Sequence, residues 1–184
     1  MPMDRKRLAK EIFDCSNLEG EFVLRSGAVS NTYFDKYLFE ADPALLKAIA
    51  EAMVPLIPSG AEVLAGLELG GVPLATVLSQ LTGLPTAFVR KKAKEYGTCK
   101  LAEGADVADK HVAIIEDVVT SGGQILLSAA ELRQHGAHID HVLCVIDRES
   151  GGPERLAEEH LELHALFTMS ELLATKGGET GGGP

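Results

Sequence analysis

A chain of 184 residues is long enough to form one domain with its own hydrophobic core. Its 27 acidic and 17 basic residues leave a net charge of −10, which argues against a protein that coats nucleic acid or binds membrane surfaces through charge. Cys15, Cys99 and Cys144 lack the spacing of a metal site, and no apolar run reaches the roughly 18 residues of a membrane span. We therefore expect a soluble, cytoplasmic protein.

The N-terminal quarter of the chain predicts two helices separated by a turn-rich segment. Residues 1–15 have the apolar spacing of an amphipathic helix, and two short extended stretches follow at 22–24 and 32–34. Asp42 before Pro43 is typical of a helix start, because the carboxylate caps free N–H groups and proline suits the first turn. The helix that begins there is expected to end at the next prolines.

The middle of the chain predicts an α/β fold with a doubly wound, mostly parallel sheet flanked by helices. Short apolar runs, typical of strands buried on both faces, alternate with helical stretches at 72–81 and 124–135. In such sheets ligands bind beyond the carboxyl ends of the strands. The four runs are Val63–Ala65, Ala87–Val89, Val112–Ile115 and Val142–Ile146.

Two segments interrupt this pattern. Residues 91–109 carry many charges and no apolar period, so we expect a long mobile loop, which in a compact domain is usually functional. Residues 175–184 are rich in glycine and predict a disordered tail. The domain organisation is therefore a single domain over 1–174 followed by that tail.

The strongest motif is a predicted strand that ends in Glu116 and Asp117 and is followed by Thr120, Ser121 and two glycines before a helix. Backbone N–H groups in a glycine-rich turn at a helix start form a cradle for an anion. Two carboxylates would repel that anion unless they face hydroxyl groups such as those of a ribose. The alternative is an ordinary strand-to-helix turn with acidic residues near it.

This order of strand, acids, turn and helix resembles the signature of the phosphoribosyltransferases, which bind 5-phosphoribosyl 1-diphosphate (PRPP). The resemblance implies that Glu116 and Asp117 contact the ribose hydroxyls and take part in catalysis, while the turn holds the 5′-phosphate. The PRPP-binding residues that it implies here are Glu116, Asp117, Val118, Val119, Thr120, Ser121, Gly122, Gly123 and Gln124.

A second motif is a basic cluster: five of the 17 basic residues lie within positions 90–100. Such a cluster in an acidic chain suits a diphosphate, although alone it would also fit a solvated loop. The segment resembles the mobile catalytic loop of the orotate phosphoribosyltransferases, with Tyr96 in the place of the usual histidine. By this resemblance Arg90, Lys91, Lys94 and Tyr96 bind PRPP, and Lys94 is catalytic.

Three shorter segments complete the resemblance. Gly70 and Gly71 are similar to the family's diphosphate-binding loop, although a tight turn would look the same. The segment around Tyr33 and Phe34 is similar to an N-terminal hood that closes over the base. Val29 stands where many bacterial members have lysine, so Arg25 or Lys36 is a candidate substitute.

Arg148 follows the last apolar run and matches the family arginine that holds the orotate carboxylate, as a guanidinium fork can do bidentately. It could instead pair with Asp147 or Glu149 at the surface. Thr120, Tyr33 and Phe34 are the other orotate-binding residues that the resemblance implies.

The resemblance therefore implies an orotate phosphoribosyltransferase that makes orotidine 5′-monophosphate in pyrimidine (UMP) biosynthesis. It implies Mg²⁺ held mainly by substrate and water, with no direct protein ligand. It also implies a homodimer in which the basic loop acts in trans, without nucleic-acid or membrane partners. The alternatives are a phosphoribosyltransferase for another base and a nucleic-acid-binding regulator of the same fold.

The histidines give no metal-binding pattern in the sequence. His160 and His164 are four residues apart, but the alternation of apolar residues around them predicts a strand, on which they would share no helix face. His135, His138 and His141 flank a predicted turn and are expected to be solvated.

Overall fold

The fold was established from a computed structural model, which describes residues 3–24, 27–92 and 101–177. A mostly parallel six-stranded sheet carries helices on both faces, and a separate hairpin lies at the N-terminal end. The predicted doubly wound α/β fold is therefore confirmed. The boundary at residue 174 stays a prediction; residues 175–177 form a short 3₁₀ turn, and 178–184 lie outside the described residues.

Within the described ranges, eight strands form two sheets. β1 (Asn17–Val23) and β2 (Val29–Phe34) pair antiparallel in the hairpin, which corresponds to the expected hood. The central strands are β3 (Val63–Leu67), β4 (Thr86–Val89), β5 (Ala102–Gly104), β6 (His111–Val119), β7 (His138–Asp147) and β8 (Glu162–Thr168). Their order across the sheet is β5-β4-β3-β6-β7-β8, and the pairing is parallel except between β4 and β5.

Seven α-helices accompany these strands in the described part of the chain. They are α1 (Arg5–Ser16), α2 (Lys36–Ala41), α3 (Pro43–Met53), α4 (Gly71–Thr82), α5 (Gly123–Gln134), α6 (Gly152–Glu158) and α7 (Met169–Ala174). Local sequence explains several helix starts. The Asp42 carboxylate accepts hydrogen bonds from the N–H groups of Ala44 and Leu45, with Pro43 in the first turn, as predicted.

The sheet separates two apolar layers. One contains the buried faces of α1, α3 and α4 against β3, β6 and β7, with Ile49, Leu74 and Ile115 fully buried. The other packs α5 and α6 against the opposite face, around residues such as Ile114 and Leu156. None of the helices described is both long and apolar enough to cross a membrane.

Several elements differ from the sequence-based expectation. The short helices α2, α6 and α7 were not predicted, and β5 lies inside the segment 91–109 that was expected to be a loop. β6 continues to Val119 rather than ending at the acids Glu116 and Asp117, because its backbone pairs with β7 as far as Asp147. A carboxylate can stay in this buried strand because a cation from another element neutralises it, as described next.

Candidate active site

The candidate site lies where the direction of the chain across the sheet reverses. The chain passes from β3 to β4 on one side, whereas it passes from β6 to β7 on the other, and β3 and β6 are neighbours. The carboxyl ends of these two strands open a crevice of the kind in which doubly wound sheets bind ligands. The loop 68–71 follows β3, and the turn 120–122 follows β6, so two predicted motifs meet there.

The turn after β6 has the geometry of an anion cradle. Gly122 adopts φ +72° and precedes α5, whose first turn has no side-chain cap. Its free N–H groups therefore face outward with the positive end of the helix dipole. The Arg155 guanidinium in α6 lies beside this turn, because a Cβ added to Gly123 would be 3.5 Å from its Nη1. No local sequence pattern indicated Arg155.

A buried ion pair lies beside the cradle. The Asp117 side chain is completely inaccessible to solvent, and its Oδ2 is 2.6 Å from Lys36 Nζ at the start of α2. Its Oδ1 accepts a hydrogen bond of 2.6 Å from the Val118 N–H. Lys36, a candidate substitute for the lysine missing at Val29, therefore does lie in the site. Val29 itself is 62% exposed on the hairpin.

Two further carboxyl groups share this ion pair. Glu40, one helical turn after Lys36, is buried, and burial beside the Asp117 carboxylate raises its pKa from 4.5 to about 9. Burial and the Asp117 charge also raise the pKa of Glu116 to about 8. Three acids thus face one ammonium group, and burial together with the Asp117 charge favours the protonated forms of Glu40 and Glu116. Glu40 was not found by the sequence analysis.

The loop after β3 brings the second motif against the acids. A Cβ added to Gly70 would overlap the Asp117 carboxylate, so a glycine is required there for the two strands' ends to approach. The Glu68 carboxylate in the same loop accepts a 2.6 Å hydrogen bond from the Lys91 N–H. The first residues of the basic segment are therefore fixed beside the crevice.

Arg90 has an unused donor at this place. Its backbone N–H donates to the Leu101 carbonyl, while its side-chain Nε is buried and has no hydrogen-bond partner among the described residues. A buried donor without an acceptor is costly, and an anionic ligand would remove that cost. Lys94 and Tyr96, the other predicted residues of this segment, lie outside the described residues, as does Arg25.

A cavity of about 270 Å³ is lined by three of the four residues predicted to hold the base, whereas Thr120 does not line it. Tyr33 and Phe34 from the hairpin line it together with Arg148, whose backbone N–H donates to the Val119 carbonyl. Asp147 and Glu149, the alternative partners, instead accept hydrogen bonds from backbone N–H groups. In the described part of the chain, Arg148 forms no ion pair with either of them. Arg148 is an exposed residue.

Comparison with known proteins gives the relatives of this chain. Residues 39–160 match the family model of the phosphoribosyl transferase domain. An orotate phosphoribosyltransferase from a Nocardioides species is 54% identical over 169 residues, which are 92% of this chain and 94% of the relative. That from Methanocella arvoryzae is 44% identical over 157 residues, or 85% of this chain and 90% of the relative.

Solved structures agree with these sequence matches. The orotate phosphoribosyltransferase of Mycobacterium tuberculosis in complex with PRPP aligns with a TM-score of 0.79 at 26% identity, covering 92% of this chain and 99% of that one. Its complex with inorganic phosphate gives 0.82 at 26% identity, with coverages of 91% and 97%. An adenine phosphoribosyltransferase from Leishmania donovani, at 15% identity and a TM-score of 0.70, shows the shared fold alone.

Proposed function

The chain belongs to the orotate phosphoribosyltransferases within the phosphoribosyltransferase family, and we propose that it transfers the 5-phosphoribosyl group from PRPP to orotate. The products are orotidine 5′-monophosphate and diphosphate, in the biosynthesis of UMP. The observation that supports this proposal is that an anion cradle, an acid cluster and a cavity lined by Arg148 all lie at the carboxyl ends of the neighbouring strands β6 and β7.

The donor fits the crevice group by group. The turn 120–124 suits the 5′-phosphate, because it offers backbone N–H groups and two hydroxyls with Arg155 at its side. Glu116 and Asp117 are assigned to the ribose hydroxyls as acceptors. Asp117 is inaccessible to solvent and paired with Lys36, so it can accept from them once Lys36 moves aside. The loop at Gly70 and Gly71, with Arg90 and Lys91 nearby, suits the diphosphate.

The acceptor fits the cavity between the hairpin and β7. Orotate is planar, aromatic and anionic, and the cavity offers the rings of Tyr33 and Phe34 and the free guanidinium of Arg148. Thr120, the exposed residue that follows β6, is assigned a contact with both substrates. A purine or uracil has no carboxylate for Arg148, so the cavity favours orotate over the other bases.

Magnesium fits the donor set of this site. The acid cluster offers carboxylate oxygens, which Mg²⁺ prefers, but Asp117 is already paired with Lys36 and Glu116 is partly protonated at neutral pH. This arrangement agrees with an ion held mainly by the substrate's phosphates, its ribose hydroxyls and water. When bound, Mg²⁺ neutralises charge on the diphosphate leaving group.

The chain's own residues then act by electrostatics. As the bond between the anomeric carbon and diphosphate breaks, positive charge develops on the ribose and negative charge on the leaving group. The developing positive charge favours the ionised form of Glu116, so that Glu116 and Asp117 stabilise this first charge. Arg90, Lys91 and Lys94 stabilise the second. Two-fold dimerisation, with Lys94 of one subunit serving the site of the other, is part of the proposal. So is a cytoplasmic location, which the free thiols of Cys15 and Cys144 support.

An ultraviolet assay of orotate consumption with PRPP and Mg²⁺, run beside adenine, guanine and uracil, tests the activity. We expect orotate alone to be consumed; consumption of another base at a comparable rate would replace this proposal by one for that base.

The role of Arg148 has its own test. Arg148→Ala should raise the KM for orotate by at least about 30-fold and leave the KM for PRPP within about twofold, since losing one partner of a desolvated charge pair costs about 2–5 kcal/mol. Arg148→Lys keeps the charge without the fork and should fall between. Arg7→Ala, an exposed arginine of α1, is the control. If the KM for orotate is unchanged in Arg148→Ala, another residue must bind the orotate carboxylate.

A further inference from the structure

Two histidines and a glutamate converge in the first halves of the last two strands of the sheet, away from the carboxyl ends where the active site lies. His141 is on β7, and Glu162 and His164 are on the edge strand β8. His141 is directly opposite Glu162 in the strand register, and His164 is opposite Leu143 on the same face of the sheet. The parallel pairing of the two strands therefore brings His141 together with Glu162 and His164, which lie more than 20 residues later in the sequence.

The distances in this cluster match those around a small divalent cation. His141 Nδ1 and His164 Nε2 are 3.0 Å apart, and the two Glu162 oxygens lie 3.7 and 3.8 Å from these nitrogens. Ligand atoms bound tetrahedrally to zinc at about 2.0–2.1 Å are about 3.3 Å from one another. One ligand atom from each residue can be chosen so that all lie within 4.8 Å of one another. Small side-chain rotations would bring the three to a common ion.

The residue types select the class of ion. Imidazole nitrogens bind Zn²⁺ and neighbouring transition metals well but suit Mg²⁺ poorly, whereas one carboxylate supplies charge compensation. Both imidazoles are partly buried, with side chains 35% and 25% exposed, while Glu162 is 67% exposed. An ion can therefore reach the cluster from solvent, and water can complete its coordination.

We propose that His141, Glu162 and His164 form a second metal site, specific for Zn²⁺ or a similar borderline transition ion and separate from catalysis. The site would link β8, which pairs only with β7 among the described strands, to the body of the sheet. His141 is six residues before Asp147 along β7, which places the ion about 20 Å from the catalytic end of the strand. Its effect is expected on the stability of the edge strand rather than on turnover.

The test uses the full chain after treatment with a chelator. Zinc chloride is titrated by calorimetry at pH 7 in millimolar Mg²⁺, which saturates sites made of oxygen ligands. We expect one Zn²⁺ per chain with micromolar or tighter affinity, together with an increase in Tm of about 5 °C or more at saturating Zn²⁺.

Variants separate this site from others. Glu162→Gln, an exposed and nearly isosteric change, and His164→Ala should each weaken Zn²⁺ binding by about 100-fold or more, since even indirect partners of a metal contribute 10–100-fold. His160→Asn is the matched control, because this exposed histidine lies outside the cluster and asparagine tolerates its φ of +57°. Absence of tight binding by the wild-type chain, or tight binding that survives Glu162→Gln, would overturn the proposal.

Discussion

Replacement of Glu40 by glutamine should change how the stability of the protein depends on pH. Glu40 is buried in α2 beside the Asp117 carboxylate, and its pKa is raised from 4.5 to about 9. Between these two values the folded chain carries a proton on Glu40 that the unfolded chain has lost. Stability therefore decreases as pH rises, by about 1.4 kcal/mol per pH unit for each such group.

Glu116 adds a slope of the same sign up to its pKa of about 8. Glutamine at position 40 keeps the shape of the protonated acid and has nothing to titrate, so the variant should retain only the Glu116 contribution. The difference in the free energy of unfolding between Glu40→Gln and the wild type should therefore shift in favour of the variant by about 2–3 kcal/mol from pH 6 to pH 8.

Urea denaturation at pH 6, 7 and 8, without Mg²⁺ or substrates, measures this difference directly. Glu21→Gln removes an exposed carboxylate from β1 and serves as the control, for which the profile should run parallel to the wild type. If the stability of Glu40→Gln depends on pH in the same way as that of the wild type, then Glu40 is ionised in the folded protein and its raised pKa is wrong.

Three other changes test the same site. Gly70→Ala should abolish turnover, because the added Cβ overlaps the Asp117 carboxylate, whereas Gly60→Ala, which meets open space, should be nearly neutral in the same kinetic assay. Lys36→Met should lower the free energy of unfolding by about 1–3 kcal/mol in urea titrations. The loss is smaller than for a fully buried ion pair because the Lys36 side chain is one-third exposed. An unchanged free energy of unfolding would show that the 2.6 Å pair between Lys36 and Asp117 contributes nothing to stability. Lys94→Ala and Asp117→Ala homodimers should each be inactive. If the loop acts in trans, mixing the two variants and letting their subunits exchange should restore about a quarter of wild-type sites. No recovery, despite subunit exchange shown by mass spectrometry, would remove that part of the proposal.

The sequence was sufficient for the parts of the fold that local pattern encodes. Continuous apolar runs located β3, β4, β6 and β7, because strands buried on both faces need apolar side chains throughout. The helices that were missed are six or seven residues long, too short for a helical period to emerge. The end of β6 was placed too early because adjacent carboxylates normally mark the end of a buried strand.

The site was predictable where a motif lies on consecutive residues. The turn 120–123 and the arginine after β7 are of this kind. Glu40 and Arg155 reach the site only because α2 and α6 pack against strands that are distant in sequence, so no local signal announces them. The proximity of His141 and His164 has the same origin, since parallel pairing of β7 and β8 sets it.

The antiparallel pairing of β4 with β5 has an evolutionary consequence. Val89 pairs with Ala102 and Ala87 with Gly104, and the Arg90 N–H bonds to the Leu101 carbonyl, so the two ends of the basic segment are joined to each other. A segment closed at its base in this way can vary in sequence or length at little cost to the fold, since doubling a loop costs only about 0.6 kcal/mol. Changes in this segment are then expected to affect the reaction that it serves rather than the stability of the fold. Tyr96, which by the resemblance takes the place of a usual histidine, lies in the sequence between these two joined ends, so that a change there leaves the pairing of β4 with β5 intact.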